Sequence, residues 1–141
     1  MSLFNLVKNI KQVSKCPTFN ANYCYHLFKT YKNNDWGLYN YYKNDDFYRI
    51  TIHKNEKFQL MLINWKKDYY TDFHNHPENG CLLKVLKGNL LEYKPHKKYD
   101  VMMINQLKQN TISYSSGIDI HKIIAVDDSV SLHLYSPPIG K

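Results

Sequence analysis

The feature that most constrains the fold is a series of short β-type runs that begins at Tyr48 and reaches Tyr135. Each run is rich in β-branched and aromatic residues, and turn-forming segments such as Lys-Gly-Asn and Ser-Ser-Gly separate the runs. The runs are YRITIH, FQLMLINW, CLLKVL, NLLEYK, TISY, HKIIAV and VSLHLY. Because no helical pattern interrupts them, they predict an antiparallel sandwich or barrel, not a parallel α/β sheet.

The first third of the chain has a different pattern. Apolar residues recur every three or four positions over residues 3–13, which predicts one face of a helix, and Pro17 ends it. A second short helix is expected over residues 22–32. We therefore expect a mainly β fold with a small N-terminal helical layer.

The composition fits one independently folding domain. Of the 141 residues, 43% are hydrophobic and 22% are charged, so enough apolar surface is available to offset the entropy of ordering the chain. We expect a single domain over residues 1–141, with the helical layer over 1–35 and the barrel over 36–141.

No apolar run approaches the roughly 20 residues that cross a bilayer, and lysines interrupt the apolar start. We expect a soluble, cytoplasmic monomer that does not bind membranes.

The distribution of charge and the number of cysteines make several kinds of binding partner and covalent framework less favoured. The formal net charge is +7, but the lysines are scattered along the chain. An RNA-binding barrel that stacks bases on its tyrosines is therefore the least favoured function, and no nucleic-acid partner is expected. The cysteines Cys16, Cys24 and Cys81 are odd in number and widely spaced, which excludes a disulfide framework or a paired Cys-x-x-Cys zinc site and is typical of a reducing compartment.

A candidate metal site begins with His74 and His76, which one residue separates. In an extended segment, residues two apart project from the same face, so both imidazoles can reach one ion. By itself such a pair is more often two solvent-facing histidines at a strand edge. Its context favours a metal site, because Cys81 and Gly88 follow at short spacing and His121 lies on a later strand candidate.

The last strand candidate has one polar and one apolar face. Ser131, His133 and Tyr135 alternate with valine and leucine. This is ordinary for a half-exposed strand, but inside a barrel the polar groups must hydrogen-bond one another or a ligand.

Arg49 is the only arginine in the chain, and its planar guanidinium can bind a carboxylate through two donors. A surface arginine in a solvated pair is the alternative.

The histidine pattern resembles the cupin signature, in which His-x-His, a carboxylate, a glycine and a distant third histidine surround a metal inside a small, jelly-roll-like β-barrel. The chain departs from it at Cys81, where most cupins have a Glu ligand. Three neutral imidazoles would leave a divalent ion its full charge and several open coordination positions, which suits activation of a substrate and of dioxygen. A catalytic zinc site with three histidines and water is the alternative.

Five ordered segments make the chain similar to the cysteine dioxygenase family over residues 36–138. They are DWGLY at 35–39, Trp65 nine residues before His74, HNHPENGCLLKVLKGNL, GIDIHKI and VSLHLYSPP. The resemblance implies a cupin-type antiparallel β-barrel and an iron-dependent enzyme that oxidises L-cysteine with O2 to cysteine sulfinate. Dioxygenases of 3-mercaptopropionate or cysteamine, and a non-catalytic cupin that binds cysteine or metal, are the alternatives.

The resemblance also assigns the metal and the substrate contacts to particular residues. It implies that His74, His76 and His121 bind Fe(2+). It implies that Arg49 binds the substrate carboxylate and that Tyr135 contributes to substrate binding.

Further assignments from the resemblance concern the last strand. Ser131, His133 and Tyr135 correspond to the family's outer-sphere catalytic series. Cys81 and Tyr135 correspond to its thioether crosslink, which accounts for a cysteine in place of the cupin carboxylate. The resemblance also implies a cis peptide bond before Pro137.

Two features depart from the family pattern. Phe47 stands where mammalian members have a pocket tyrosine, so one hydroxyl is missing. The chain also ends six residues after Tyr135, whereas family members usually continue with a segment that packs near the pocket. We expect a wetter and less selective site as a result, or an inactive protein.

Overall fold

The computed structural model of this chain describes residues 1–39 and 47–139, in which two short α-helices precede eight β-strands. The helices are α1, Leu3–Val13, and α2, Tyr25–Thr30. The strands are β1 Phe47–Lys54, β2 Gln59–Trp65, β3 Cys81–Lys87, β4 Asn89–Pro95, β5 Met102–Lys108, β6 Ile112–Ser115, β7 Lys122–Ala125 and β8 Ser129–Tyr135. The expected mainly β fold with a small helical layer is confirmed.

The strands form two antiparallel sheets. One has five strands in the order β1-β2-β8-β3-β6, and the other has three in the order β5-β4-β7. Hairpins join β1 to β2 and β4 to β5, whereas β8 returns from the end of the chain to lie between β2 and β3. The sheets pack face to face, but the described strands do not close into a continuous barrel. The expected barrel is therefore an open two-sheet arrangement.

The helical layer packs on the outer face of the five-stranded sheet. Helix α1 begins after Ser2, whose side chain accepts a hydrogen bond from the N–H of Asn5. Leu6 and Ile10 are fully buried in one apolar cluster with Leu132 of β8. The predicted helix over residues 3–13 is confirmed.

The second helix is shorter than predicted, because residues 21–24 form a 3₁₀ turn and Tyr31 is already extended. A buried lysine donates hydrogen bonds to the backbone carbonyls at the C-terminal end of α2. Lys84 of β3 is 2% exposed, and its Nζ donates hydrogen bonds to the carbonyls of Phe28 and Tyr31. Such carbonyls have no partner within a helix, so this ammonium ties the helical layer to the sheet.

Strand β8 is buried on both faces, which divides the interior into two cores. Its leucines belong to the cluster under the helical layer. Its polar face, with Ser131 and His133, points between the two sheets, where residues such as Ile63, Leu83 and Ile123 form a second cluster. The alternation predicted for this strand is confirmed, and the polar face is the inner one.

The alternation pattern does not predict β5, and the structure corrects this omission. All residues of β5 except Leu107 are exposed. Its position is determined by backbone pairing with β4 and not by burial of one face. An edge strand that is exposed on both faces has no alternating pattern to detect.

Asp35 joins the helical layer to the following segment. Its carboxylate accepts hydrogen bonds from the N–H of Leu3 at 2.8 Å and from the hydroxyl of Tyr31 at 2.6 Å. The predicted boundary after residue 35 falls inside the 3₁₀ helix Asp35–Tyr39. Asp35 therefore ties the start of α1 to the segment that follows α2.

The division of the chain into a helical layer over residues 1–35 and a barrel over residues 36–141 stays a prediction. Residues 40–46 and 140–141 of the predicted barrel lie outside the residues that the structure describes. Within the described segments, none of the helices combines the length and the apolar character that crossing a bilayer requires. The predicted compartment is likewise untested by these observations.

Candidate metal centre

Three histidine side chains converge beside the space between the two sheets. The Nε2 atom of His121 lies 3.0 Å from Nε2 of His76 and 3.0 Å from Nε2 of His74. One ligand atom from each ring lies within 4.8 Å of the others. His76 and His121 are buried, and His74 is exposed. The structure thus brings together the three histidines that the sequence assigns to a metal.

Backbone contacts bring these rings together. His74 and His121 form an isolated antiparallel bridge in which each N–H donates to the carbonyl of the other, at 3.0 and 3.1 Å. His76 follows two residues after His74 in the same segment. The turn at Gly80 then leads into β3 with a φ of +85°, a conformation that a side chain would strain.

The hydrogen bonds of the rings determine where their protons lie. Nδ1 of His74 is 2.9 Å from the carbonyl oxygen of Asp72, and Nδ1 of His76 is 3.0 Å from that of Asp119. A carbonyl only accepts hydrogen bonds, so each Nδ1 carries the proton. Nδ1 of the third ring faces a carboxylate. All three Nε2 atoms therefore present lone pairs to one another.

This arrangement fits a bound cation. Lone pairs that face one another at 3.0 Å repel unless a positive charge lies between them, and neutral imidazole is the commonest metal ligand. Two nitrogens at about 2.1 Å from one ion lie about 3.0 Å apart at a right angle and about 3.4 Å apart at the tetrahedral angle. The spacing of the three nitrogens therefore fits a group that could hold one divalent ion.

A buried carboxylate supports the third histidine. Glu92 of β4 is 1% exposed, and its Oε2 accepts a hydrogen bond from Nδ1 of His121 at 2.8 Å. Ser113 also donates to this carboxylate, at 3.1 Å. Burial acts to raise the pKa of Glu92, but the hydrogen bond from His121 and the charge of Lys94 hold it below its usual value. A carboxylate behind a ligating histidine orients the ring and makes its free nitrogen a stronger ligand.

Burial also keeps the rings in the form that binds metal. It lowers the pKa of His76 to about 4, and the neighbouring His121 adds to this effect. Although His74 is exposed as a residue, its ring is partly desolvated at the cavity wall, which lowers its pKa in the same direction. Both rings are therefore neutral at neutral pH, and metal binding does not have to displace a proton from them.

One cavity of about 800 Å³ contains these rings and most of the other predicted site residues. Its lining includes His74, His76, His121, Arg49, Cys81, His133 and Tyr135. Arg49 lies on β1 with its guanidinium carbon 5.3 Å from the ring centre of Phe47. Phe47 in turn stacks on Tyr69, with ring centres 4.5 Å apart. Arg49 is exposed, so the cavity is open to solvent on this side.

A chain of hydrogen bonds leads from Trp65 to Tyr135. The indole N–H of Trp65 donates to Ser131 Oγ at 2.9 Å, and this oxygen lies 2.6 Å from Nε2 of His133. Burial keeps His133 neutral by lowering its pKa, so one ring nitrogen carries the proton and the other accepts. In the tautomer in which Ser131 donates to Nε2, Nδ1 of His133 donates to the Tyr135 hydroxyl, 3.2 Å away. The Tyr135 hydroxyl also hydrogen-bonds the Cys81 side chain.

Cys81 and Tyr135 lie opposite each other in the register of β3 and β8, and both line the cavity. The sulfur of Cys81 is 4.0 Å from Nδ1 of His133. Burial raises the pKa of Cys81 and of Tyr135, so the thiol and the phenol are protonated at neutral pH. The peptide bond between Ser136 and Pro137 is cis, as the resemblance implies.

All but one of the residues that the sequence assigns to the site line this cavity. The exception is Ser131, which acts through His133, and the chemical roles of the whole set stay predictions. Sequence reasoning missed Glu92, although its spacing of two from buried Leu90 places it on the inner face of β4. Sequence reasoning also missed the hydrogen bond of Trp65, because nothing in the sequence pairs its N–H with a serine in another strand.

Comparison with known proteins identifies similar sequences. A family model described as cysteine dioxygenase type I matches residues 1–141. Cysteine dioxygenase type 1 of Rattus norvegicus is 36% identical over 89 residues, which are 56% of this chain and 44% of that protein. The protein of the same name from Danio rerio is 28% identical over 151 residues, covering 97% of this chain and 75% of the relative. The matched part thus spans less than half of the rat relative.

Solved structures share the fold. An RmlC-like cupin protein from Desulfovibrio desulfuricans superposes with a TM-score of 0.56 at 23% identity, over 70% of this chain and 91% of that chain. At this identity the likeness shows the fold alone. It confirms the cupin architecture expected from the histidine spacing.

We expect the substitution Glu92→Gln to weaken metal binding. The amide keeps the size of the side chain but removes the charge that pairs with His121. The dissociation constant for a divalent ion such as Fe²⁺ or Zn²⁺ should rise about 10- to 100-fold, as measured by competition with a chromophoric chelator. Glu56→Gln changes an exposed carboxylate in the turn between β1 and β2 and is the matched control. Equal affinities of the wild-type and Glu92→Gln proteins would contradict this role.

Proposed function

Because the chain belongs to the cysteine dioxygenase type I family, we propose that it oxidises the thiol of free L-cysteine to cysteine sulfinate with both oxygen atoms of O2. The observation that carries this proposal is the presence of three convergent imidazole nitrogens and an arginine in one cavity. The imidazoles suit a divalent ion, and the guanidinium suits a carboxylate. Free cysteine offers both a thiol that binds metal and a carboxylate.

In this proposal His74, His76 and His121 hold Fe²⁺. When bound, this ion would supply the activation of dioxygen and of the thiol. Iron is proposed over zinc because the reaction needs a metal with redox chemistry, which zinc lacks. The three rings donate no negative charge, so the ion keeps its attraction for a thiolate.

Arg49 would hold the substrate carboxylate. Its side chain lines the cavity, and among the described residues its guanidinium takes part in no salt bridge within 4.0 Å. Its charge contributes to lowering the pKa of His74 and His133, which places it electrostatically close to the metal centre. A bidentate pair with a carboxylate would position the sulfur of the substrate.

Tyr135 would donate a hydrogen bond to the bound substrate. Support for this role comes from the contacts of His133, whose Nε2 lies against Ser131 and whose Nδ1 lies 3.2 Å from the phenol oxygen. With Nδ1 as the donor, the phenol proton would turn from Cys81 to an acceptor on the bound substrate. Because burial raises the pKa of Tyr135, the group acts as a donor and not as a phenolate.

We also propose a thioether bond between Cys81 and the ring of Tyr135. One S–H bond and one ring C–H bond would be lost, one S–C bond would form, and two electrons and two protons would pass to dioxygen. The direct cross-strand position of the two residues supports this bond. It would restrain the phenol that donates to the substrate.

A second candidate substrate is 3-mercaptopropionate. It carries the thiol and the carboxylate that the proposed site selects, and a cavity of about 800 Å³ does not exclude it by size. Phe47 provides only an apolar ring at the position where mammalian members have a hydroxyl. Cysteamine is less favoured, because it has no carboxylate for Arg49 to bind.

The function is tested by loading the protein with Fe²⁺ under argon and adding oxygenated buffer and L-cysteine. We expect one cysteine sulfinate to form for each O2 consumed. Chromatography measures the sulfinate, and an oxygen electrode measures the O2. The zinc-loaded protein should be inactive, because zinc has no redox chemistry. Parallel assays with 3-mercaptopropionate and cysteamine rank the substrates. Cysteine binding in a calorimeter without sulfinate formation would contradict the proposal and favour a non-catalytic cupin.

We expect Arg49→Ala to raise the KM for L-cysteine at least about tenfold, because a charge-assisted, two-donor contact is lost. Initial rates of oxygen uptake over a range of cysteine concentrations measure it. The rate with cysteamine should be unchanged, since that thiol lacks a carboxylate. Lys66→Ala removes an exposed cation in the loop after β2 and serves as the control. An unchanged KM for cysteine would remove Arg49 from substrate binding.

Intact-mass spectrometry tests the thioether bond. Protein incubated with Fe²⁺, cysteine and O2 should be lighter than its sequence mass by two hydrogen atoms. Cys81→Ser and Tyr135→Phe should each have their full mass, whereas Cys16→Ser, which changes an exposed thiol, should keep the deficit. A deficit that persists in Cys81→Ser would rule out this pairing.

A further inference from the structure

The outer edge of the three-stranded sheet is apolar and exposed. Strand β5 is the last in the order β5-β4-β7, so one of its sides has no neighbouring strand among the described residues. Met102, Met103 and Ile104 are 47%, 46% and 57% exposed, and Tyr99 and Val101 beside them are 59% and 57% exposed. Met102 and Ile104 lie on one face of β5 and Met103 on the other, so exposed apolar side chains flank the unpaired edge on both faces, which favours an interaction at this edge.

Strand β5 lacks the features that usually protect such an edge. Natural edge strands are short, bulged, or interrupted by proline or charged residues. β5 has seven residues, pairs with β4 without a bulge, and contains neither a proline nor a charge before its last residue, Lys108. By contrast, β6 at one edge of the other sheet has only four residues.

The register with β4 indicates which backbone groups of β5 point outward. In an antiparallel pair, residues that exchange hydrogen bonds alternate with residues that do not. The N–H of His96 donates to the carbonyl of Val101, and Pro95, which has no N–H, lies opposite Met102. Odd-numbered residues of β5 therefore bond to β4. The even-numbered ones, centred on Ile104, turn their N–H and C=O groups away from the sheet.

We propose that this edge pairs with the same edge of a second copy of the chain, antiparallel, about a two-fold axis at Ile104. This register joins only residues whose backbone groups point outward: Ile104 faces Ile104, and Met102 faces Gln106 of the second copy. The two three-stranded sheets then form one continuous sheet, in which the two Ile104 side chains lie side by side as cross-strand neighbours. The proposal replaces the expectation of a monomer.

The charges at the ends of the strand favour this register. Asp100, in the bend before β5, falls opposite Lys108 of the second copy, and the two-fold symmetry produces this pair twice. Neither residue forms a salt bridge within 4.0 Å in the described part of the chain. An axis at Met103 or at Asn105 would leave Asp100 facing an uncharged residue. The edge is thus self-complementary in charge, which is why a second copy is the occupant that fits it.

The contact is small, so we expect a weak dimer. A seven-residue strand with its side chains buries less than the roughly 1,600 Å² of a standard stable interface. We expect a dissociation constant on the order of 10 µM. The chain is then monomeric when dilute and dimeric when concentrated.

Sedimentation equilibrium of the full chain, over concentrations that bracket this value, tests the dimer. Ile104→Asp places two like charges opposite each other at the axis and should raise the dissociation constant at least about tenfold. Phe4→Asp changes an apolar residue of α1 that is 78% exposed and should leave the constant unchanged. A wild-type chain that is monomeric throughout, or a dimer that Ile104→Asp does not weaken, overturns the proposal.

A charge exchange tests the register without altering the apolar surface. Asp100→Lys alone and Lys108→Asp alone each place like charges opposite each other and should weaken the dimer about tenfold. The two substitutions in one chain restore opposite charges at both ends and should restore the wild-type constant. A double variant that associates no more tightly than either single variant rules out pairing about Ile104. Sedimentation does not require thiol oxidation, so this result is independent of the enzymatic assays.

Discussion

The site depends on one physical constraint, the repulsion between imidazole lone pairs that a cation relieves. His74 and His121 are 47 residues apart in the chain, and reciprocal backbone hydrogen bonds bring them together. Hydrogen bonds on the far side of each ring fix its proton away from the centre. Once the sheets have formed, the rings cannot all turn aside without breaking these bonds. The folded chain therefore presents a three-histidine group that could hold a divalent ion.

The helical layer allows polar groups to lie inside a small protein. Strand β8 brings Ser131 and His133 into the space between the sheets, where each needs a partner and contributes little apolar burial. The opposite face of the same strand buries its leucines against α1. Lys84 adds to this attachment, because it satisfies the carbonyls at the end of α2. Apolar packing on one face of the sheet thus offsets the cost of a polar, open cavity on the other.

Local sequence patterns predicted those parts of the structure whose signal is local. The period of two separated the polar and apolar faces of β8 without showing which one is the inner face, and the spacing of apolar residues located α1. The pairing of Trp65 with Ser131 depends on two strands meeting in a particular register, which no local pattern contains. Glu92 had a local signal in the spacing from Leu90, but a single carboxylate in a strand does not reveal its partner. Strand β5 was missed because it is held by backbone pairing and has no buried face to leave a period in the sequence.

The missed strand and the missed carboxylate are physically connected. Asn105 of β5 donates a hydrogen bond to Glu92 at 3.5 Å, and Glu92 in turn holds His121. Only Leu107 anchors β5 through burial, so the position of Asn105 depends on how well the strand is held at its edge. Pairing of that edge with a second copy would restrict β5 and, through Asn105, the carboxylate behind the metal ligand. Because binding free energies are reciprocal, a metal ion that orders His121 and Glu92 would favour the paired edge to the same extent.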